Sequence, residues 1–285
     1  MKPNTKSRTG QVKKITSLAN PVIKDLKALA LKKIRDREGL FLAEGLKLII
    51  EALDLGWNIH TLVFSKSGPG NALVEKTAAR TIAGGGLVVE TSGKVMAAIT
   101  RRDNPQTVLG VFEQRWHRQE QMNFDRDTLF LALDRIRDPG NLGTIIRTAD
   151  AVDVSGIILV GNTTTPFSLE TVRATMGSIF AVPLYRMTEQ QLLDWRRHFP
   201  GLVVGTYLEG SADYRTVDYT QEPVMLLMGN EQQGLPESLA NCCDRLVCIP
   251  QAGRADSLNL AVATGVMLYE IRRGILELDK RKLQT

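Results

Sequence analysis

The chain has 285 residues, 43% of them hydrophobic, enough for two domains with separate cores. Its longest apolar runs, such as Val224-Met225-Leu226-Leu227-Met228, are strand-sized, and the first residues carry no apolar segment. This excludes a membrane span and a secretory signal and predicts a cytoplasmic protein. The net charge of +5 is uneven: residues 1–50 hold 12 Lys/Arg against 4 Asp/Glu, net +8, and the remainder is net −3. Such a basic segment suits either a solvated face or contact with nucleic-acid phosphates.

Residues 1–14, polar and basic without periodicity, predict a mobile arm. Between residues 20 and 36, Val22, Leu26, Leu29 and Leu31 fall near helical spacing. Lys24, Lys27, Lys32, Lys33 and Arg35 lie largely elsewhere on the circumference, as an exposed basic face requires. Leu40-Phe41-Leu42, Thr61 to Phe64, Leu87-Val88-Val89 and Val108 to Phe112 then read as strands, with an amphipathic helix over Leu46 to Leu55. This α/β alternation over residues 15–114 closes at RWHRQEQMNFDR (115–126), whose charges predict an interdomain linker.

The second domain, 127–285, begins with strand-like LFLALD (129–134) and continues through GIILVG, VPLYR, LVVGTYL, VMLLMGN and RLVCIP. Near-continuous apolar strands separated by helices predict a parallel sheet covered on both faces, the doubly wound α/β class. Ligands in such sheets bind at the carboxyl ends of the strands, and three loops there carry polar residues. DPGNLGTIIRTADAV (138–152) reads as a helix with Asn141 as N-cap, Leu142, Ile145, Ile146 and Ala149 as its buried stripe, and Arg147 beside that stripe, within reach of Asp150. GNEQQGLP (229–236) leaves a strand through Gly229 and sets the carboxylate of Glu231 at its tip, with Pro236 suited to the first position of a following helix. IPQAGRADSLNL (249–260) places Ser257 as N-cap of a long helix, with Asn259, a poor helix former, two residues inside. Small Ala261, Ala263 and Gly265 permit close approach of that helix to another backbone, in a core or in a dimer.

Three cysteines (Cys242, Cys243, Cys248) without a C-x-x-C pair predict reduced thiols, and three scattered histidines predict no metal centre. No phosphate-binding loop, no nucleophile elbow and no dinucleotide fingerprint follows any strand, which removes nucleotide hydrolysis, serine-hydrolase chemistry and a dinucleotide cofactor.

In order, NLGTIIR (141–147), GNEQQGL (229–235) and IPQAGRADSLNLAVA (249–263) resemble the three signature motifs of the SpoU (TrmH) family of RNA ribose 2′-O-methyltransferases, SPOUT superfamily. ITSLANPVIKDL and FLAEGLKLIIEAL in the first half resemble that family's ribosomal-protein-like α/β substrate-binding domain. The resemblance implies a deep trefoil knot, S-adenosylmethionine as cofactor, and a homodimer. Position by position it assigns catalytic roles to Asn141, Arg147, Glu231, Ser257 and Asn259, and cofactor contacts to Thr206, Gly229, Ile249 and Leu258. Gln232 stands where many members have Gly, and Ala261 where many have Ser.

The implied reaction is attack of a ribose 2′-oxygen on a sulfonium methyl, which needs positioning and loss of one proton. A guanidinium is a donor only, so Arg147 is expected to orient the target phosphate and 2′-oxygen rather than act as base. Glu231 is expected to fix Asn141 or Arg147, with Ser257 and Asn259 holding the loop and ribose. Lys24, Lys27, Lys32, Lys33 and Arg35 are expected to bind RNA backbone, ribosomal RNA before tRNA. Competing classes are a tRNA methyltransferase, a base methyltransferase, and a non-catalytic RNA-binding ribosome-assembly protein on the same scaffold.

Overall fold

A computed structural model describes residues 10–65, 72–207, 212–254 and 256–277. Residues 1–9 of the expected arm, and the expected strand residue Leu208, lie outside the described residues. The chain divides into two compact units, Met1–Arg115 with Thr165–Ala181, and Trp116–Thr164 with Val182–Thr285. No helix among the described residues is long and apolar enough to cross a membrane.

The first unit is a five-stranded sheet of order β1-β4-β3-β5-β2, with β1 Gln11–Lys14, β2 Leu40–Glu44, β3 Ile59–Ser65, β4 Leu87–Thr91 and β5 Val108–Glu113. β1, β4 and β3 run parallel, while β5 is antiparallel to both β3 and β2. Residues 11–14 are therefore an edge strand, not the end of an arm. All four side chains are exposed, so only the backbone ladder, with no period-2 burial, defines the strand, and nothing in the residue pattern marks it. One core joins Ile23, Leu26 and Leu29 to Val95, Met96 and Ile99 over Leu42, Val63, Val89, Leu109 and Val111. The first two clusters of residues belong to α1 (Pro21–Ala28, with Leu29 just beyond it) and α5 (Gly93–Thr100); α3 (Leu46–Asp54) and α4 (Ala72–Ala83) also pack on the strands.

Residues 165–181, which the sequence places inside the second domain, belong to this first unit. Here α7 (Leu169–Ala174) and a single 3-10 turn bring Phe167 and Phe180 into an aromatic cluster with Phe41, Trp57 and Phe112. The ring centroids are 4.9 Å apart for Phe167–Phe41 and 4.8 Å for Phe180–Phe112. Trp57 Nε1 donates to the Phe180 carbonyl at 2.9 Å, and Arg173 pairs with the buried Glu44.

The basic segment is two helices, α1 and α2 (Lys32–Glu38), rather than one. Asn20 caps α1 by accepting from Val22 N, and Pro21 occupies its first position. Lys24, Lys27, Lys32 and Lys33 are exposed. Arg35 is not on that face: it is 4% exposed, and its Nη1 donates to the carbonyls of Leu29 and Ala30 at 2.9 and 2.8 Å. The guanidinium satisfies carbonyls at the end of α1 that the break between the helices leaves without intrahelical partners. Burial pulls its pKa below the ordinary value, with the charge of Asp36 opposing. Arg35→Ala is therefore expected to cost about 1–3 kcal/mol in urea unfolding, the penalty for stranded buried acceptors, and to leave the salt dependence of RNA binding unchanged.

The second unit is a seven-stranded sheet, all parallel, of order β10-β12-β9-β11-β6-β7-β8. Its strands are β6 Leu129–Asp134, β7 Gly156–Val160, β8 Leu184–Met187, β9 Leu202–Thr206, β10 Ala212–Asp213, β11 Val224–Met228 and β12 Arg245–Cys248. On one face α8 (Glu189–Arg196) and α9 (Glu237–Ala240) supply Leu192 and Leu239 to a core containing Phe130, Ala132, Val160, Met225 and Leu227. On the other, α6 (Pro139–Ala151) and α10 (Leu260–Ile271) pack together, with α10 also against β11. Residues 116–126, expected as linker, lie in this unit: Met122 is in its core, and His117 bridges Tyr185 of β8. Few apolar residues suffice there because one methionine and the exposed Phe124, packed on Trp195 and Phe199, make the contact.

Chain order reverses where β11 enters between β9 and β6. Register pairs Met228 with Leu133 and Leu227 with Gly205, while Val247 pairs with Thr206. Four strand tips, those of β12, β9, β11 and β6, thus end along one carboxyl edge at a topological switch point, where doubly wound sheets bind ligands.

Candidate active site

The loop after β6 enters α6 through Asp138, whose Oδ1 accepts from Asn141 N at 2.6 Å, with Pro139 in the first helical position. Asp138, not Asn141, is the N-cap. An Asp-Pro pair satisfies two requirements at once, a short acceptor and a residue that lacks the unneeded N–H. The side chain of Asn141 is thereby released for other bonds.

The loop after β11 turns tightly on itself. Asn230 and Gly234 exchange backbone hydrogen bonds of 3.1 and 2.9 Å, and Gly234 sits at φ +65°. A Cβ on Gly229 would lie 2.3 Å from Gly234 C and 2.4 Å from Leu235 N, so only glycine fits there. Glu231 at the tip meets the α6 entrance: its Oε1 accepts from Asn141 Nδ2 at 3.4 Å and from Asp138 N at 3.5 Å. Pro236 precedes α9 as its N-cap residue, one position before the expected place.

The third loop ends at α10, whose N-cap is Asn259 rather than Ser257. Asn259 Oδ1 accepts from Ala261 N and Val262 N at 2.9 and 3.3 Å. A helix-end N–H can be met only by the amide oxygen, so the Asn259 NH2 group must point away, and it donates to Asn141 Oδ1 at 2.9 Å. That in turn directs the Asn141 NH2 group to Glu231. Glu231, Asn141 and Asn259, from three loops and separated by up to 118 residues, form one directional chain with a carboxylate at one end and a helix cap at the other. Ser257 is exposed outside it.

Arg147 is also outside. It is exposed on α6 and makes no hydrogen bond or ion pair among the described residues, with Asp150 or otherwise. Six residues of α-helix carry it about 9 Å along and about 240° round the axis from Asn141, which accounts for the separation.

The remaining candidates line the neighbouring tips. Thr206 is half-buried, with Oγ1 donating toward Met228 Sδ at 3.6 Å. Ile249 is half-buried, Gly229 buried, and Leu258 37% exposed. Gly205, just before Thr206, has Cys243 Sγ and Leu235 Cδ1 at 2.7 and 3.0 Å from where a Cβ would stand, so β9 is packed closely at this end.

Residues not foreseen support the site from below. Asn230 Nδ2 donates to the Arg135 carbonyl at 2.8 Å, and Asn230 Oδ1 accepts from Gln232 N and Gln233 N. Asp134, 1% exposed at the tip of β6, accepts from Arg135 Nε at 2.9 Å. Burial pushes the Asp134 carboxyl above its ordinary range despite the opposing bond and charge of Arg135, and that bond raises the pKa of Arg135. The Asx side chain of Asn230 after a strand is a readable turn signal; the role of Asp134-Arg135 has none.

Residues 128–269 match the model of the SpoU rRNA methylase family, and residues 20–110 match an MRM3-like substrate-binding domain. Among solved structures, an AdoMet-bound rRNA methyltransferase from Sinorhizobium meliloti is 59% identical, covers 94% of this chain and all of its own, and superposes with a TM-score of 0.89. A 23S rRNA (uridine(2479)-2′-O)-methyltransferase from Streptomyces viridochromogenes is 34% identical over 84% of each chain. The 23S rRNA (guanosine(2553)-2′-O)-methyltransferase RlmP of Bacillus subtilis is 31% identical over 92% of this chain and all of its own. With both segments matched and relatives similar over nearly their whole length, the chain belongs to the SpoU rRNA methylase family.

Proposed function

We propose that the protein is an S-adenosylmethionine-dependent methyltransferase acting on a ribose 2′-oxygen of 23S ribosomal RNA. The observation that carries this is the Glu231–Asn141–Asn259 chain standing at the switch-point tips of a SpoU-family sheet. Relatives similar over most of their length carry the 23S rRNA ribose activity in their names.

The tips fit the cofactor. Gly229 leaves no side chain between ligand and backbone, Ile249 and the partly exposed Leu258 offer apolar walls, and Thr206 adds a hydroxyl. Such a set suits an uncharged ring and ribose held by apolar contact and main chain. When bound, S-adenosylmethionine would supply an electrophilic methyl to the 2′-oxygen, the S–CH3 bond breaking to leave S-adenosylhomocysteine and the hydroxyl proton passing to water. Asn141, held at both ends, keeps the entrance of α6 fixed to the two other loops. Glu231 places negative charge beside the target ribose, and Arg147 binds its phosphate. Ser257 adds a hydroxyl at the rim.

The test is transfer of labelled methyl to total RNA followed by alkaline hydrolysis. Label in alkali-resistant dinucleotides from 23S rRNA supports the reading. Label in alkali-sensitive mononucleotides would show base methylation, label in tRNA would move the substrate, and no label would leave an RNA-binding protein only.

Homodimerisation is part of the proposal. Val262 and Tyr269 are 53% and 52% exposed, seven residues apart on α10, beside the helix that bears Arg147. A second copy covering this stripe would put Arg147 at an interface; sedimentation at monomer mass would overturn this. A deep trefoil knot is proposed as well, supported by the entry of β11 into the middle of the sheet after both its neighbours. Pulling the chain ends in an optical trap should give a contour length shortened by the trapped residues. A cytoplasmic location goes with the substrate and is checked by fractionation.

The exposed Lys24, Lys27, Lys32 and Lys33 are proposed to bind RNA backbone. Lys32 also pairs with Asp36 at 2.7 Å, an interaction that phosphate can replace. Replacing all four with Ala is expected to flatten the plot of log affinity against log salt by about 0.7–0.9 for each phosphate that is no longer neutralised, measured by filter binding across salt concentrations. An unchanged slope would move the RNA surface elsewhere.

A further inference from the structure

We propose that Arg135 is a positioning residue for methyl transfer, a clamp that holds the Glu231 loop to the tip of β6. The inference rests on the reading of Glu231 and Asn141 as site residues. Arg135 stands in the left-handed region, at φ +47°, although it is not glycine. Such a conformation is strained and persists only where surrounding bonds over-determine it.

Here they do. The Arg135 N–H donates to the Val160 carbonyl at 3.0 Å, and its own carbonyl accepts from Asn230 Nδ2 at 2.8 Å. Its Nε and Nη2 grip Asp134 Oδ2 at 2.9 and 2.8 Å, and its Nη1 donates to Gln233 Oε1 at 3.2 Å. One residue thus joins the ends of β6 and β7 to the loop after β11 on both sides of Glu231, through Asn230 before it and Gln233 after it. The left-handed turn is what lets carbonyl and guanidinium reach the same loop.

Asp134 adds a second, independent sign. It is 1% exposed, yet its Oδ1 is buried with no hydrogen-bond partner among the described residues, where the bonds of this carboxylate come from Arg135. A buried carboxylate half-satisfied by an arginine whose side chain is 31% exposed adds little to stability, because the cost of burying the charge is only partly returned. A planar fork that spans an acid and an amide, by contrast, sets the height of a loop, which neither Lys nor an apolar residue does. Glu231 is bonded at 3.4–3.5 Å to Asn141 and Asp138, and a small tilt of its loop breaks those bonds.

The experiment compares Arg135→Met, Arg135→Lys, Gln233→Ala, Glu231→Ala and the double variant Arg135→Met/Glu231→Ala in the full chain. The readouts are single-turnover methylation at saturating RNA, S-adenosylhomocysteine affinity by calorimetry, and thermal midpoint. Arg135→Met is expected to slow transfer about ten- to hundredfold, the scale of a displacement near 1 Å, with product affinity held within about twofold. Arg135→Lys should recover only part of the rate, and in the Glu231→Ala background Arg135→Met should slow transfer no further. If Arg135→Met unfolds the protein, the exposed Gln233→Ala carries the test and is expected to slow transfer while the midpoint stays unchanged. A full rate in Glu231→Ala would overturn the site reading and this inference together. A slow Glu231→Ala with a fast Arg135→Met or Gln233→Ala, or additive losses in the double variant, would overturn this inference alone.

Discussion

Arg147→Ala is expected to lower the single-turnover rate of methyl transfer at saturating RNA by about 10²-fold, the loss typical of misplacing a reacting group when a positioning contact, here to the target phosphate, is removed. Thermal stability and cofactor affinity should not change, because the side chain is exposed and bonded to nothing among the described residues. An exposed arginine on an otherwise well-packed helix contributes little to folding, so its function must be sought outside the chain that carries it. Arg147→Lys should recover only part of the rate, since an ammonium lacks the planar fork that binds a phosphate at two points. A wild-type rate in Arg147→Ala would remove this residue from the proposed mechanism and leave Glu231, Asn141 and Asn259 as the site.

Gly229→Ala is the second large effect. The added methyl would stand 2.3 Å from Gly234 C and 2.7 Å from Gly234 O, both backbone, so no side-chain rotation relieves the clash. The loop must shift outward from β9 and β6, with an overpacking cost of about 1–3 kcal/mol. Because the same backbone would face the cofactor, most of that cost should appear in binding, as a roughly ten- to hundredfold rise in the dissociation constant for S-adenosylmethionine. Calorimetry measures it, and far-UV circular dichroism should show the sheet intact. An unchanged affinity would show that the cofactor does not lie against this turn.

The two substitutions separate parts of the site that are legible in different ways. Gly229 is readable because a glycine ending an apolar strand has few explanations other than close approach. Arg147 stands out only as a charged residue beside a buried stripe, and DPGNLGTIIRTADAV by itself is fully described as a capped helix. Both helix caps fall away from where the local pattern puts them. Asn141 and Ser257 are expected to close α6 and α10, but Asp138 and Asn259 do so. Cap preferences among Asp, Asn and Ser are nearly equal, so a sequence offering two candidates within three residues does not discriminate. The choice depends on which side chain is drawn elsewhere, and Asn141 is drawn to Glu231 and Asn259.

Arg35 shows the same limit in the first unit. Its spacing matches the exposed lysines, yet a break in the helix turns it inward to carbonyls that a single continuous helix would not have freed. Periodicity assumes that the helix continues, and nothing in ALALKKIR announces the interruption.

By itself the sequence determined six of the seven strands of the parallel sheet, each with ends within two residues of those observed, though not the two-residue β10, together with the loops that carry polar groups and the family to which those loops belong. These follow from short-range facts: apolar runs of strand length, glycine where backbone must approach backbone, and motif spacing. The tertiary structure alone decided that residues 165–181 complete the aromatic core of the first unit, that residues 11–14 form an edge strand, and that Arg135 holds three chain segments together. Each of these depends on partners distant in the chain, joined through backbone ladders, side-chain bonds and ring contacts that leave no period in the local sequence.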